Sequence, residues 1–231
     1  MQLFKGFGNT LQLFVLTLVF SLPLGLLVAF GRMSKFAPLS FLIKNKEVSP
    51  IISKICNFRP IAAVTSFFIS ILRGTPLMLQ LIVWCFGPYY LFGISISPSW
   101  RSLSLVLGFV INYAAYFAEI YRSGLQSISI GQHEAAAVLG YSKGTTFFKI
   151  ILPQMIKCVL PSVTNEIITL VKDTSLAYIL SYIEMFTLAQ QIAAAGTSFM
   201  PLFVAGVFYY VFNAIIAFVM GRVERKLSYY R

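Results

Sequence analysis

The sequence is short of charge. Asp, Glu, Lys and Arg make up 11% of its 231 residues, under half of the roughly 25% that a water-exposed domain carries. A chain so composed cannot clothe itself in polar groups, and water is not its main solvent. Histidine is scarcer still. His133-Glu134 opens like the H-E-x-x-H zinc motif, but residue 137 is Ala and there is no second His, so zinc proteolysis is excluded. Cys56, Cys85 and Cys158 are odd in number, widely spaced and outside any C-x-x-C pattern, so they indicate neither a disulfide framework nor a metal site and read as packing residues. Neither G-x-x-x-x-G-K-[ST] nor G-x-G-x-x-G occurs, so ATP and dinucleotides are not expected to bind through the usual loops. No cofactor is implied.

What is abundant is apolar sequence, at 58%. No Lys or Arg interrupts the stretches from Gly6 to Gly31, Gly74 to Pro98 or Glu184 to Gly221, and each contains a run long enough to cross a bilayer as a helix. Apolar runs punctuated by Gly, Pro and charge predict an all-α integral membrane chain with five spans, at about 11–30, 76–93, 103–121, 161–180 and 202–220. The first run has only Lys5 ahead of it and no small-x-small cleavage site behind it, so it reads as a retained span rather than a signal peptide. Residues 61–72 are apolar but too short to cross, and read as an interfacial or re-entrant helix. Pro76 then suits the first turn of the second span.

Five spans put the termini on opposite sides. Arg32, Lys35, Lys44, Lys46, Lys54, Arg59 and Arg73 precede the second span; Arg122, Lys143, Lys149 and Lys157 lie between the third and fourth; Arg222, Arg225, Lys226 and Arg231 follow the fifth. The positive-inside rule makes these three groups cytoplasmic and places the N-terminus outside and the C-terminus inside. Only Lys5 and Arg101 then lie outside, with Lys172 in a span. The net charge of +11 is accordingly a topology signal, not a nucleic-acid footprint, and lipid is the expected surrounding.

Three spans carry polar stripes, the last of them weakly. At 100° per residue, Ser162, Glu166, Thr169 and Asp173 share one face of the fourth span, with Asn165 and Lys172 beside it and Ile167, Val171 and Tyr178 on the opposite, lipid-suited face. Asn112, Tyr116, Glu119 and Ser123 repeat the pattern in the third span, and Gly206, Tyr210 and Asn213 do so weakly in the fifth. An ionised side chain at the bilayer centre costs about 2.5 to 3.5 kcal/mol on insertion scales, so Glu166, Lys172 and Asp173 should face protein or water. Asn112, Tyr116, Glu166, Thr169, Lys172 and Asp173 are therefore candidates to line a polar pathway. The alternative is that such residues hold helices to one another, which suits Asn112 and Asn213 as interhelical hydrogen-bond donors. Glu119 and Arg122, one turn apart, are expected to form an i,i+3 ion pair.

Between the third and fourth spans, over about 131–153, the sequence reads as a short helix, a break and a second helix. Ala-rich residues 132–139 favour helix, Gly140 permits the left-handed conformation that ends it, and Pro153 is expected to stop the next segment. Glu134-Ala135-Ala136, Gly140, Ile150, Leu152 and Pro153 fall at the spacing E-A-A-x3-G-x9-I-x-L-P. This resembles the coupling loop of ABC importer permeases at every defined position. The likeness extends to Arg73-Gly74-Thr75-Pro76-Leu77, Ala118-Glu119-x-x-Arg122-x-Gly124, Ile151-Leu152-Pro153-Gln154 and Lys172-Asp173-Thr174-Ser175-Leu176, which look like the polar amino-acid uptake branch of that family.

The resemblance implies a type I ABC importer transmembrane fold in a bacterial inner membrane. It implies three partners: a second permease subunit, the same chain or a paralogue; a homodimeric ABC ATPase that receives the 134–153 loop and hydrolyses ATP; and an extracytoplasmic amino-acid-binding protein. The chain itself is then not an enzyme. The segment Lys35 to Phe58 departs from the pattern and has no assigned role. Two intramembrane acids against one Lys lean towards a cationic amino acid, while glutamine, glutamate and cystine stay open, because the Lys-Asp-Thr-Ser block is no specificity code. The competing reading is an ATP-independent secondary amino-acid transporter or channel built on the same stripes.

Overall fold

A computed structural model describes residues 2–39 and 56–227, and all regular structure among them is helical. The helices are α1 (Gln2–Arg32), α2 (Pro60–Gly74), α3 (Leu77–Phe92), α4 (Pro98–Ser127), α5 (Ile130–Val138), α6 (Lys143–Thr146), α7 (Leu152–Asp173), α8 (Met185–Gly196) and α9 (Met200–Leu227). A π-helical turn, Phe147–Ile151, joins α6 to α7, and a 3-10 segment, Thr174–Leu180, extends α7. Most of the connection between Lys35 and Phe58, with Lys44, Lys46 and Lys54, lies outside the described residues, as does Arg231.

Among the described residues, four helical stretches are long and apolar enough to cross a bilayer: Lys5–Arg32, Pro98–Ser127, Lys143–Leu180 and Met200–Leu227. Each runs beyond the core expected from hydropathy, because helix continues into the polar flanks. The fifth crossing differs from expectation. At 16 residues, α3 reaches about 24 Å, short of the roughly 30 Å hydrocarbon core. It passes as a span only together with α2, at a bend of 110°. The start of α2 lies near the end of α1, where a Cβ on Gly31 would be 2.8 Å from the Thr65 methyl. Its end reaches the middle of α4, where Asn112 Nδ2 donates to Leu72 O at 3.2 Å. From there α3 runs back towards the start of α4, with Trp100 Nε1 donating to Cys85 O at 3.0 Å. The pair is a broken crossing or a re-entrant loop, the second as expected for residues 61–72, and α3 is not an intact span by itself. Pro76 causes the break. It precedes the helix as the cap of α3, not at its first turn, and Thr75 before it is extended at φ −121°, ψ 147°, as a residue before proline prefers.

Inside a bilayer, helices associate through close packing, since lipid is as apolar as leucine. Helix α1 presents Thr17, Ser21, Gly25 and Ala29, all buried and spaced every fourth residue, to α4. A Cβ on Gly25 would stand 2.8 Å from Phe117 Cβ and 3.1 Å from Ala114 O. Helices α4 and α7 approach as tightly, with 2.1 Å left between a Cβ on Gly124 and Val159 Cγ1. Leu13, Phe14, Phe109, Tyr113, Phe117 and Leu170 fill the space between.

Helix α7 is oriented differently from expectation. Ile167 and Val171, read as lipid-facing, are buried in this core. Apolar side chains suit lipid and protein equally, so hydropathy could not separate the two. Tyr178 falls in the 3-10 segment, where a 100° period no longer holds; it stays partly exposed and meets Phe186 edge-on at 5.6 Å. The polar side of α7, with Ser162, Asn165 and Lys172, is exposed.

Candidate functional site

The polar stripes of α4 and α7 meet beside the elbow between α2 and α3. A cavity of about 540 Å³ there is lined by Arg73, Tyr116, Glu119, Ser123, Ser162 and Glu166. A second, of about 500 Å³, is lined by Arg32, Ser66, Ser70, Arg73, Tyr116 and Glu119. The Arg73 guanidinium sits 5.2 Å over the Tyr116 ring, within cation–π range, and with Tyr116 and Glu119 it borders both spaces. Glu119 accepts from the Arg122 guanidinium one turn on, and Arg122 also donates to Gln126.

Of the residues singled out in the sequence, Tyr116 and Glu166 thus share one cavity. Asp173 lies further along α7, where it accepts from Tyr113 Oη at 2.7 Å. Thr169 Oγ1 donates to Asn165 O of its own helix at 2.9 Å. Lys172 points elsewhere, into a separate space of about 390 Å³ with Ser175, Phe186 and Tyr209. Asn112 lies apart from all these spaces, 4% exposed. Its Nδ2 also donates to Gln80 Oε1 at 3.0 Å, and Gln80 Nε2 donates in turn to Leu72 O and Thr75 Oγ1, both at 2.8 Å. The two amides satisfy the carbonyl groups that the break leaves without helical partners.

Sequence reasoning missed two residues. Arg73 was counted among loop cations, yet it stands at the elbow beside the middle of α4. The signal was its position directly before Gly74-Thr75-Pro76, where a helix must stop. Glu184 is fully buried and caps α8, accepting from Phe186 N at 2.7 Å, Thr187 N at 2.6 Å and Thr187 Oγ1 at 2.9 Å. Tyr209 Oη of α9 donates to it at 2.9 Å and Thr10 Oγ1 of α1 at 3.4 Å. One carboxylate therefore ties three helices together. A lone acid at the head of a long stretch without cations was the available sign.

Beyond the end of the bundle where α1, α4 and α9 finish, α5 and α6 form a projection. Ser129 caps α5 at Gly131 N, and Gly140 ends it at φ +76°. Gly140 N donates to Ala137 O and Tyr141 N to Ala136 O, both at 3.0 Å, the paired bonds of a Schellman motif. Glu134 and Ala135 are exposed, whereas Ala136 is buried. Pro153 does not stop the following segment as expected; it lies in the first turn of α7, behind the π-helical turn. Proline lacks the N–H for the bond back to residue 149, and the wider turn makes room for its ring. Ile150, Leu152 and Pro153 line a groove of about 870 Å³ with Gln132 and Lys149.

Residues 51–229 match the family described as the binding-protein-dependent transport system inner membrane component. The chain belongs to that family. This permease is 33% identical over 225 residues to the arginine transport system permease protein ArtQ of Bacillus subtilis (strain 168), covering 97% of this chain and 91% of that one. It is 31% identical over 227 residues to the L-cystine transport system permease protein TcyB of the same organism, covering 97% and 86%. A putative glutamine transport system permease protein GlnP of Rickettsia felis is 30% identical over 96% of this chain and 91% of that protein. Among solved structures, an amino acid ABC transporter with histidines superposes at a TM-score of 0.79 and 28% identity, over 97% of this chain and 94% of its own. The inward-facing MetNI methionine ABC transporter shares the fold, at a TM-score of 0.68 and 17% identity over 98% and 94%. The permease is a multi-pass membrane protein with the type I ABC importer fold, and the secondary-carrier or channel alternative is not favoured.

Proposed function

We propose that the permease pairs with a second permease subunit and with an ABC ATPase homodimer to form the pathway by which a polar amino acid, delivered by an extracytoplasmic binding protein, is imported. The observation that carries this reading is the α5–α6 projection. It holds Glu134 exposed on a short helix closed at Gly140, beside Val138, Leu139 and Phe148, which are 88%, 71% and 67% exposed. Apolar side chains standing outside the bundle beside a charged helix fit a surface that a partner covers. The sequence has no nucleotide-binding loop, so ATP hydrolysis falls to that partner. Arg32, Lys143, Lys149, Lys157, Arg222 and Lys226 lie towards the same end, and Lys5 and Arg101 towards the other. The positive-inside rule then turns the projection to the cytoplasm, with the N-terminus outside and the C-terminus inside.

A pathway at a subunit interface fits the polarity of α7, which buries its apolar face and exposes Ser162, Asn165 and Lys172. Lipid cannot cover that face at low cost, so a second permease or water does. Tyr116, Glu166 and Thr169, with Lys172 and Asp173 further out, line the pathway in this reading, and Asn112 braces it from behind. The relatives named for arginine, glutamine and cystine support an amino acid as cargo. Uptake of labelled arginine, lysine, histidine, glutamine, glutamate and cystine into proteoliposomes holding permease, ATPase and binding protein tests the proposal. One or more should accumulate only with enclosed ATP and binding protein. Accumulation driven by an ion gradient without ATP, or uptake of none, refutes it.

A further inference from the structure

Arg73 is set where a cation is costly. Helix α4 has 30 residues, and the carbonyl beside Arg73, Leu72 O, is bound by Asn112, halfway along it. A cation at that depth is costly unless something compensates it. Glu119, which lines both cavities with Arg73, accepts from Arg122 through its Oε1. Arg73 itself stacks on the face of Tyr116 and is exposed in the single chain, so the donor edge of its guanidinium stays accessible. That edge borders both cavities. One carries Glu166 with Ser123 and Ser162; the other carries Arg32 with Ser66 and Ser70. Glu119 and Tyr116 line both, so Arg73 stands among Glu166, Glu119 and Arg32.

We propose that Arg73 is the carboxylate anchor of the pathway: it binds the α-carboxylate of the amino acid in transit, with the α-ammonium group turned to Glu166. The proposal rests on the amino-acid import reading and adds the group that recognises what every such cargo shares. Guanidinium and carboxylate match as a two-pronged, charge-assisted pair, and stacking on Tyr116 holds the fork in place. Arg32, lining the second cavity, offers the carboxylate its next cation as it leaves. The side chain of the cargo is left to the rest of the pathway, which fits relatives named for arginine, glutamine and cystine alike.

The test is binding of labelled L-arginine, L-glutamine and L-cystine to the permease–ATPase complex in nanodiscs without binding protein, so that recognition in the membrane is measured alone. Each cargo found to be imported is compared with its α-carboxamide. The wild type should prefer the acid by tenfold or more. Arg73→Gln should weaken the acid by that factor and bring the ratio to about one, while Arg73→Lys, which keeps the charge but loses the fork, should retain part of the preference. In transport, KM should rise with kcat less affected. An unchanged acid-to-amide ratio in Arg73→Gln, or equal losses for acid and amide, overturns the anchor while leaving amino-acid import intact. Absence of ATP-driven uptake of any amino acid by the wild-type complex overturns both.

Discussion

Gly140→Ala isolates the contribution of one backbone conformation to coupling. Gly140 holds φ +76°, and a Cβ built there meets nothing within 4 Å, so alanine creates no clash. What remains is the cost of a left-handed backbone for a residue with a Cβ, about 1–2 kcal/mol. That lowers the population of the Schellman turn relative to alternatives by about 5- to 30-fold. If only the native turn docks, the apparent affinity for the ATPase falls by up to the same factor. Gly144 supplies the control, because it lies in α6 with equally open space around it and no positive φ. Gly144→Ala should leave docking unchanged or improve it slightly, since alanine favours helix. The assay is affinity of purified permease variants for the ATPase subunit, paired with ATP hydrolysis stimulated by the binding protein in proteoliposomes. Gly140→Ala should lower both, with assembly of the spans unchanged, and Glu134→Gln should lower docking by less. Full affinity in Gly140→Ala, or an equal loss in Gly144→Ala, would refute the reasoning.

Glu166→Gln should abolish or strongly reduce uptake at unchanged thermal stability, whereas Asn112→Leu should lower stability by about 1–3 kcal/mol, the cost of leaving the buried Gln80 Oε1 without its donor; the reverse pattern in uptake and unfolding assays would exchange their roles. Glu184→Gln replaces an acceptor by a mixed donor and acceptor among hydrogen-bond donors from three helices, so its unfolding midpoint in nanodiscs should drop by an equivalent of about 1–3 kcal/mol, and an unaltered midpoint would remove the node from the account. Gly124→Ala should overpack the α4–α7 contact by about 1–3 kcal/mol, with Val159→Ala restoring part of the loss in the double variant; strictly additive losses would mean the two positions do not meet. Single cysteines in a cysteine-free background should react from the cytoplasmic side at Lys143 and Lys226 and from outside at Ser97, and labelling of Ser97 and Lys143 from one side would contradict the orientation.

How far the sequence carried the reading depended on whether local chemistry decided the matter. The turn at Gly140 was legible because only glycine adopts φ +76° without strain, and a short Ala-rich helix must end somewhere. The ion pair of Glu119 and Arg122 was legible because one helical turn sets their distance. The elbow was half-legible. Pro76 announced a break, but its consequence, a 110° bend that carries Arg73 to mid-depth, depends on what α2 packs against. Thr65 against Gly31 and Leu72 against Asn112 are contacts between segments distant in sequence. Pro153 misled for a related reason: the same missing N–H that stops one helix opens another, and the π-helical turn before it decided which.

The reversal on α7 has the widest bearing on function. Ile167 and Val171 gave the right periodicity and the wrong neighbour, because a methyl group transferred from lipid to a packed protein interior gains little beyond packing. Polarity has no such ambiguity. Ser162, Glu166 and Lys172 cannot face hydrocarbon at low cost, whichever way the apolar side is turned. Once the apolar side is found buried inside the chain, Ser162, Asn165 and Lys172 are left exposed on the other side. A soluble protein would give such a face to water and need no partner. In a bilayer such a face requires water or a polar partner, which is the ground for proposing a pathway along α7.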